Sequence, residues 1–142
     1  MQLSRRRFLL VPVASAAVCI HTRLRAADAA ASSLRGKLQT GAKPVLNIPK
    51  GPVALQGDEP TMAVLGDIRL KDADFEVDGH LVSPGRMAVD PIHTRSLFVF
   101  KDGKRLMVTY WCPVCSIRTY QPGECWCCHN YTDLDPIEPD KP

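Results

Sequence analysis

Five of the six cysteines of this 142-residue chain fall in one short stretch: Cys112 and Cys115, then Cys125, Cys127 and Cys128. The pattern Cys-x2-Cys-x9-Cys-x2-Cys offers two tight turns, each able to aim two sulfurs at one ion. Four thiolates complete a tetrahedral site. Backbone amides inside such turns can donate to the sulfurs. Tyr120-Gln121-Pro122-Gly123 reads as the turn that brings the second pair beside the first. Cys112, Cys115, Cys125 and Cys128 are the expected metal ligands, because both pairs then share the x2 spacing. Cys127 and His129, each adjacent to Cys128, are a spare ligand or an outer group. Zinc is the expected ion, with iron or copper as alternatives.

Two other uses of the sulfurs remain open. A disulfide framework would strand one of the five thiols, and Cys127-Cys128 are too close to bridge easily to each other. Cys112-Pro113-Val114-Cys115 also reads as a redox-active pair, but only the short stretch 116–142 follows it, broken by prolines. Such redox folds need a helix and a long βαβ remainder. A catalytic zinc keeps one position open, and four matched cysteines fill every position. No His-Glu zincin motif, phosphate loop or nucleophile elbow occurs. The site therefore points to structure or electron transfer, and the balance leans against an enzyme.

The elements that must position the sulfurs read as mainly β. Ser96–Lys101 and Lys104–Trp111 flank Asp102-Gly103, the strongest short-range signal for a hairpin. That register sets Val99 opposite Leu106 and Leu97 opposite Val108, with Phe98 opposite Met107 and Phe100 near Arg105. Both faces are apolar, which predicts a central hairpin in a small sheet. Met62–Leu70 reads as a strand, Asp78-Gly79 as a turn, and Met87–Val89 as a short strand. The run Asp72, Asp74, Glu76, Asp78 would place its carboxylates on one strand face, as a solvated edge or a weak cation site. His80 and His93 lie in turn-like contexts as ordinary polar residues. Residues 32–60, rich in proline and glycine, read as an extended linker or arm. The organisation expected is an export signal at 1–31, the linker at 32–60 and a small β domain at 61–111. A cysteine module at 112–130 and an acidic, proline-rich tail at 131–142 follow.

The first residues carry a targeting signal. Ser4-Arg5-Arg6-Arg7-Phe8-Leu9-Leu10 precedes a short, alanine-rich apolar stretch, and small-residue cleavage sites follow near Ala27–Ala31. Residues 1–31 hold five of the 18 basic residues and one of the 15 acidic ones, leaving 13 against 14 beyond them. A polybasic nucleic-acid surface is therefore not supported. Nor is a transmembrane span in the mature form, since no apolar run approaches the roughly 18 residues that a spanning helix needs.

Two sets of residues resemble known families. The N-terminal run resembles a twin-arginine signal, with Leu10 where lysine is usual. That implies export of an already folded chain to the periplasm, or otherwise across the cytoplasmic membrane, by the twin-arginine machinery. Tyr110-Trp111-Cys112-Pro113-Val114-Cys115, followed by Gln121-Pro122-Gly123-Glu124-Cys125 and Cys128, resembles the heavy-metal-binding domain of copper pumps and efflux proteins. Cys115 stands where that family has histidine, and His129-Asn130 where it has Gly-Met. The second pattern is also similar to desulforedoxin-like iron sites, which would imply Cys112, Cys115, Cys127 and Cys128 as ligands. The fold expected is thus mainly β, ending in a zinc-ribbon-like knuckle pair. The function expected is an exported metal-binding accessory protein with an unidentified protein partner. A copper carrier, an iron electron carrier and a thiol–disulfide oxidoreductase are the alternatives.

Overall fold

A computed structural model of the chain describes residues 31–92 and 95–140. The export signal expected at 1–31 lies outside them except for Ala31, as does His93. Among the described residues no helix is long and apolar enough to cross a membrane. The architecture is mainly β. Among the described residues ten strands run in chain order: β1 Ala31–Gln39, β2 Val45–Ile48, β3 Gly51–Gln56, β4 Asp74–Ser83, β5 Arg86–Val89, β6 Leu97–Lys101, β7 Lys104–Met107, β8 Tyr110–Cys112, β9 Ile117–Thr119 and β10 Asp133–Leu134. One short helix, α1 (Glu59–Leu65), and a 3₁₀ turn at Ile68–Leu70 separate β3 from β4.

The first seven strands form one sheet in the order β1-β2-β3-β5-β4-β6-β7, and β1 also pairs with β4. That extra pairing closes β1, β2, β3, β5 and β4 into a barrel. Among the described residues only β3 and β5 run parallel. The result is a small five-stranded barrel, a scaffold that by itself assigns no function. Residues 32–60, expected as a linker or arm, are indeed extended, yet they supply three of the five barrel strands. Their alternating burial shows why: Leu38, Leu46, Val53 and Leu55 point inward to the core.

Closure depends on two glycines at which a strand changes neighbours. β1 leaves β4 for β2 around Gly36–Lys37, and β4 passes from β6 to β5 around Gly79. A Cβ at Gly36 would lie 2.2 Å from the Asn47 carbonyl oxygen, and one at Gly79 2.2 Å from that of Ala88. Asp78-Gly79 is therefore not the expected turn. The strand runs through it, because a missing side chain there admits β5, and the chain reverses at Pro84-Gly85 instead.

Met62–Leu70 also differs from its expected strand. Asp58 caps α1 by accepting the Thr61 N–H at 3.0 Å, and Pro60 occupies the first turn. Thr61, Val64 and Leu65 then share the buried face at helical spacing. The Asp102-Gly103 hairpin forms in the expected register, with φ of 52° and 74° at its two loop residues. It is less central than expected: β6 is interior, whereas β7 ends the sheet, and its Met107 is bridged to Ile137 of the tail. Asp72 precedes β4 in a turn with φ 58°, so the expected run of four does not share one strand face, and arginines bind the other three carboxylates. Arg35 binds Asp74 at 2.6 Å, and Arg105 binds Glu76 at 2.6 Å and Asp78 at 3.6 Å.

Candidate metal centre

Three short strands, β10-β8-β9, form a second sheet that carries the cysteines. Val108 and Thr109 lead straight from the hairpin into β8, so Cys112 leaves the barrel on a fixed rail. Tyr110 is fully buried, and its hydroxyl donates to Asp67 Oδ2 at 3.0 Å. Arg69 donates to that carboxylate, to the Thr132 carbonyl at 2.9 Å, and lies over the Tyr110 ring. Burial would raise the Asp67 carboxyl, but the bonds from Arg69 and Tyr110 outweigh it and hold the group below its usual range. Burial, then the Asp67 charge, push the Tyr110 phenol up, so it stays protonated as a donor.

A second tie crosses the module. Arg118 on β9 donates to Thr109 Oγ1 at 2.7 Å and to the Asp135 carbonyl at 3.0 Å, and pairs with the Asp135 carboxylate at 2.7 Å. Thr109 Oγ1 also donates to the Asp135 carbonyl. The stretch after residue 130, expected as a solvated tail, is therefore partly structural. β10 pairs with β8, and the Met107 and Ile137 backbones exchange bonds at 2.7 and 3.0 Å.

Within this frame the sulfurs of Cys112, Cys115, Cys125 and Cys128 lie within 4.8 Å of one another, with Cys112 and Cys125 buried. Cys112 and Cys128 are 3.5 Å apart. That is far beyond a covalent S–S length of about 2.05 Å. It is near the edge of about 3.8 Å that arms of about 2.3 Å give a thiolate tetrahedron. The donor set, four sulfurs and nothing else, fits a tetrahedral ion.

The two halves of the site repeat each other, Cys112 matching Cys125 and Cys115 matching Cys128. In the first, Trp111 pairs with Arg118, the Ser116 N–H donates to the Cys112 carbonyl at 2.9 Å, and Ser116 has φ 54°. In the second, Glu124 pairs with Tyr131, the His129 N–H donates to the Cys125 carbonyl at 2.9 Å, and His129 has φ 60°. The amides converge alike. Cys112 Sγ accepts from the Cys115 and Val114 N–H groups, and Cys125 Sγ from those of Cys128 and Cys127.

Those bonds set the sulfurs apart electrostatically. The Cys128 and Cys127 amides draw Cys125 below the usual thiol range. The Asn130 amide, aided by the Cys112 and Cys115 thiols and by Asn130 Nδ2 at 3.5 Å, brings Cys128 down to about 7 against the opposing effect of burial. At Cys112 the Cys115 amide lowers the thiol, but burial and the Cys128 and Cys125 thiols together raise it. Cys115 is pushed up by its thiol neighbours, Cys127 first and then Cys128.

The remaining candidates sit outside the four. Cys127 is exposed and lies outside the cluster of four sulfurs. His129 is exposed and spends its backbone on the knuckle. The set implied by the desulforedoxin-like resemblance is not the one that gathers, because Cys125 takes the place of Cys127. Sequence reading missed Asp67, Arg69, Thr109, Arg118, Thr132 and Asp135, which hold the module. Each is an unremarkable polar residue until the chain is folded, and no spacing signals it. No family model, no curated protein and no solved structure matches this chain.

Proposed function

We propose that the protein is an exported metal-binding accessory protein whose four-cysteine site holds a structural zinc ion. The observation that carries this reading is the convergence of Cys112, Cys115, Cys125 and Cys128 to within 4.8 Å. An all-sulfur tetrahedral donor set suits zinc or iron. Four protein ligands leave no open position for a reacting water, which favours a structural or binding role over catalysis. The arginine run Arg5-Arg6-Arg7 ahead of Phe8-Leu9 supports export by the twin-arginine route, with the periplasm or cell exterior as destination. A thiolate site loaded before export would escape oxidation of its empty cysteines.

A second reading, an iron electron carrier, is favoured by one observation. Backbone amides point at the sulfurs of both knuckles, and such bonds tune the potential of an iron–thiolate centre. Elemental analysis with a visible spectrum, on protein purified without added metal, tests both. One zinc per chain and a colourless solution are expected. A red, redox-active protein selects the iron reading. An ion-free mature chain with cross-linked cysteines overturns both.

A further inference from the structure

We propose that the outward face of the second knuckle's hairpin, residues 123–132, is a docking surface for an arginine-bearing segment of a partner protein. The inference deepens the accessory-protein reading above, by naming that partner's chemistry, and rests on it. Four aromatic rings of the fold are treated alike. Arg35 lies over the Phe100 ring at 3.4 Å and pairs with Asp74. Arg105 lies over Phe98 at 3.3 Å and pairs with Glu76. Arg69 and Arg118 lie 5.1 Å over Tyr110 and Trp111, and pair with Asp67 and Asp135. In each case the face of a ring meets the plane of a guanidinium while a carboxylate accepts its N–H groups.

The hairpin sets a ring and a carboxylate side by side in the same way. Glu124 is bridged opposite Tyr131, and the Cys125 N–H donates to the Asn130 carbonyl at 2.8 Å and the Thr132 N–H to the Gly123 carbonyl at 2.9 Å. Directly opposed residues share a face. Their neighbours Cys125 and Thr132 are buried, so Glu124 and Tyr131 face outward, and Trp126 is exposed in the loop between them. Among the described residues no arginine lies over Trp126 or Tyr131, and Glu124 forms no ion pair. Residues 119–140 hold five acidic residues and no Lys or Arg, so the chain supplies no arginine of its own from this region. An arginine from a partner would lie on Tyr131 or Trp126 and donate to Glu124, repeating the three-part contact made four times elsewhere. Exposed Trp and Tyr also suit a membrane interface, but carboxylates repel an anionic lipid surface.

The test uses the full zinc-loaded chain and a synthetic peptide of alternating arginine and serine, with lysine-for-arginine and glutamate-for-arginine peptides beside it. Isothermal titration gives affinity, and the Trp126 indole N–H resonance locates the contact. The arginine peptide is expected to bind and to shift that resonance, and the glutamate peptide to do neither. The lysine peptide should bind several-fold more weakly, because an ammonium neither stacks nor offers a planar fork. W126A and Y131A, loaded with the same amount of zinc, should each weaken binding at least about fivefold, and E124Q should flatten its salt dependence. Trp126 lies between two cysteines, so if W126A loads less zinc, Y131A decides. A loaded chain that ignores the arginine peptide overturns the inference. So does equal binding by Y131A, equal affinity for the lysine peptide, or attachment of Trp126 to anionic lipid vesicles in place of the peptide. Elemental analysis of the same sample keeps the failures apart: an ion-free chain removes the reading of the metal centre, whereas a loaded chain without peptide binding removes only this inference.

Discussion

The barrel and the cysteine module are held together by different physics. Leu38, Leu46, Leu65, Phe75, Val77, Met87 and Leu97 are fully enclosed, and they form one continuous cluster with the other inward residues of the barrel and α1. The module has little of this. Beyond Tyr110, its buried residues are Cys112, Cys125 and Thr132, while Trp126 and Tyr131 are each 74% exposed and Val114 64%. Hydrophobic burial can maintain the first region unaided. The second has only three very short strands, and a sheet that small does not stand without support.

Removing the ion should therefore separate the two. A structural thiolate–zinc site contributes about 10–16 kcal/mol to the fold that holds it, comparable to the ~5–15 kcal/mol net stability of a whole domain. Chelation of the zinc-loaded chain should abolish amide protection across residues 110–130 while β1 to β6 keep theirs. Hydrogen exchange read by mass spectrometry checks this. Unchanged protection in 110–130 would show that the module stands without metal.

The reciprocal change is made in the barrel. Phe75→Ala removes an enclosed ring and should cost about 3–5 kcal/mol, seen as a fall in the denaturation midpoint. Zinc stoichiometry at low temperature should not change. If it falls in step with barrel stability, the regions are one cooperative unit. Gly79→Ala tests the seam in the same assay. Its new Cβ would lie 2.2 Å from a backbone oxygen, so β5 must move, at a cost of about 3 kcal/mol.

What the sequence disclosed follows the same division. Sulfur ligation is local and chemically specific, so paired Cys-x2-Cys turns announced the four residues that converge. The hairpin was legible because Asp102-Gly103 fixes register by turn geometry alone. Barrel closure was not legible. It depends on β1 meeting both β2 and β4, a long-range pairing that no local pattern encodes, and the prolines and glycines of 32–60 concealed three strands. At Gly79 the residue that signals a turn in isolation instead permits a close approach. At 59–65 the caps Asp58 and Pro60 were the better guide than the apolar run behind them.

Between the regions stands Tyr110, and Tyr110→Phe should weaken their coupling selectively. The change keeps the packing but leaves Asp67 short of one donor, a bond to a charged acceptor of about 1.5–3 kcal/mol. Zinc affinity should fall with barrel stability nearly unchanged, as competition against a chelator would show. An unaltered affinity would mean that Arg69 and the Thr109–Arg118–Asp135 ties carry the junction alone.

Acid should dissect the molecule in two steps. Thiolates must shed protons to bind metal, so affinity falls as protons compete, and the module should open while the barrel is intact. The barrel responds lower, through carboxylates. Asp74 on β4 is held below the usual range by its bond to Arg35. A carboxylate depressed in the fold contributes stability that is present above its unfolded value near about 3.9 and is lost as pH falls through the folded value. Barrel stability should thus hold to about pH 4 and decline below it. Asp74→Asn should flatten that decline only slightly, because the Arg35–Asp74 pair is largely exposed. Tryptophan fluorescence follows the module through Trp111 and Trp126, and far-ultraviolet circular dichroism follows the barrel. Two separated midpoints are expected, and a single shared one would mean that the ion stabilises the whole chain rather than the cysteine module alone.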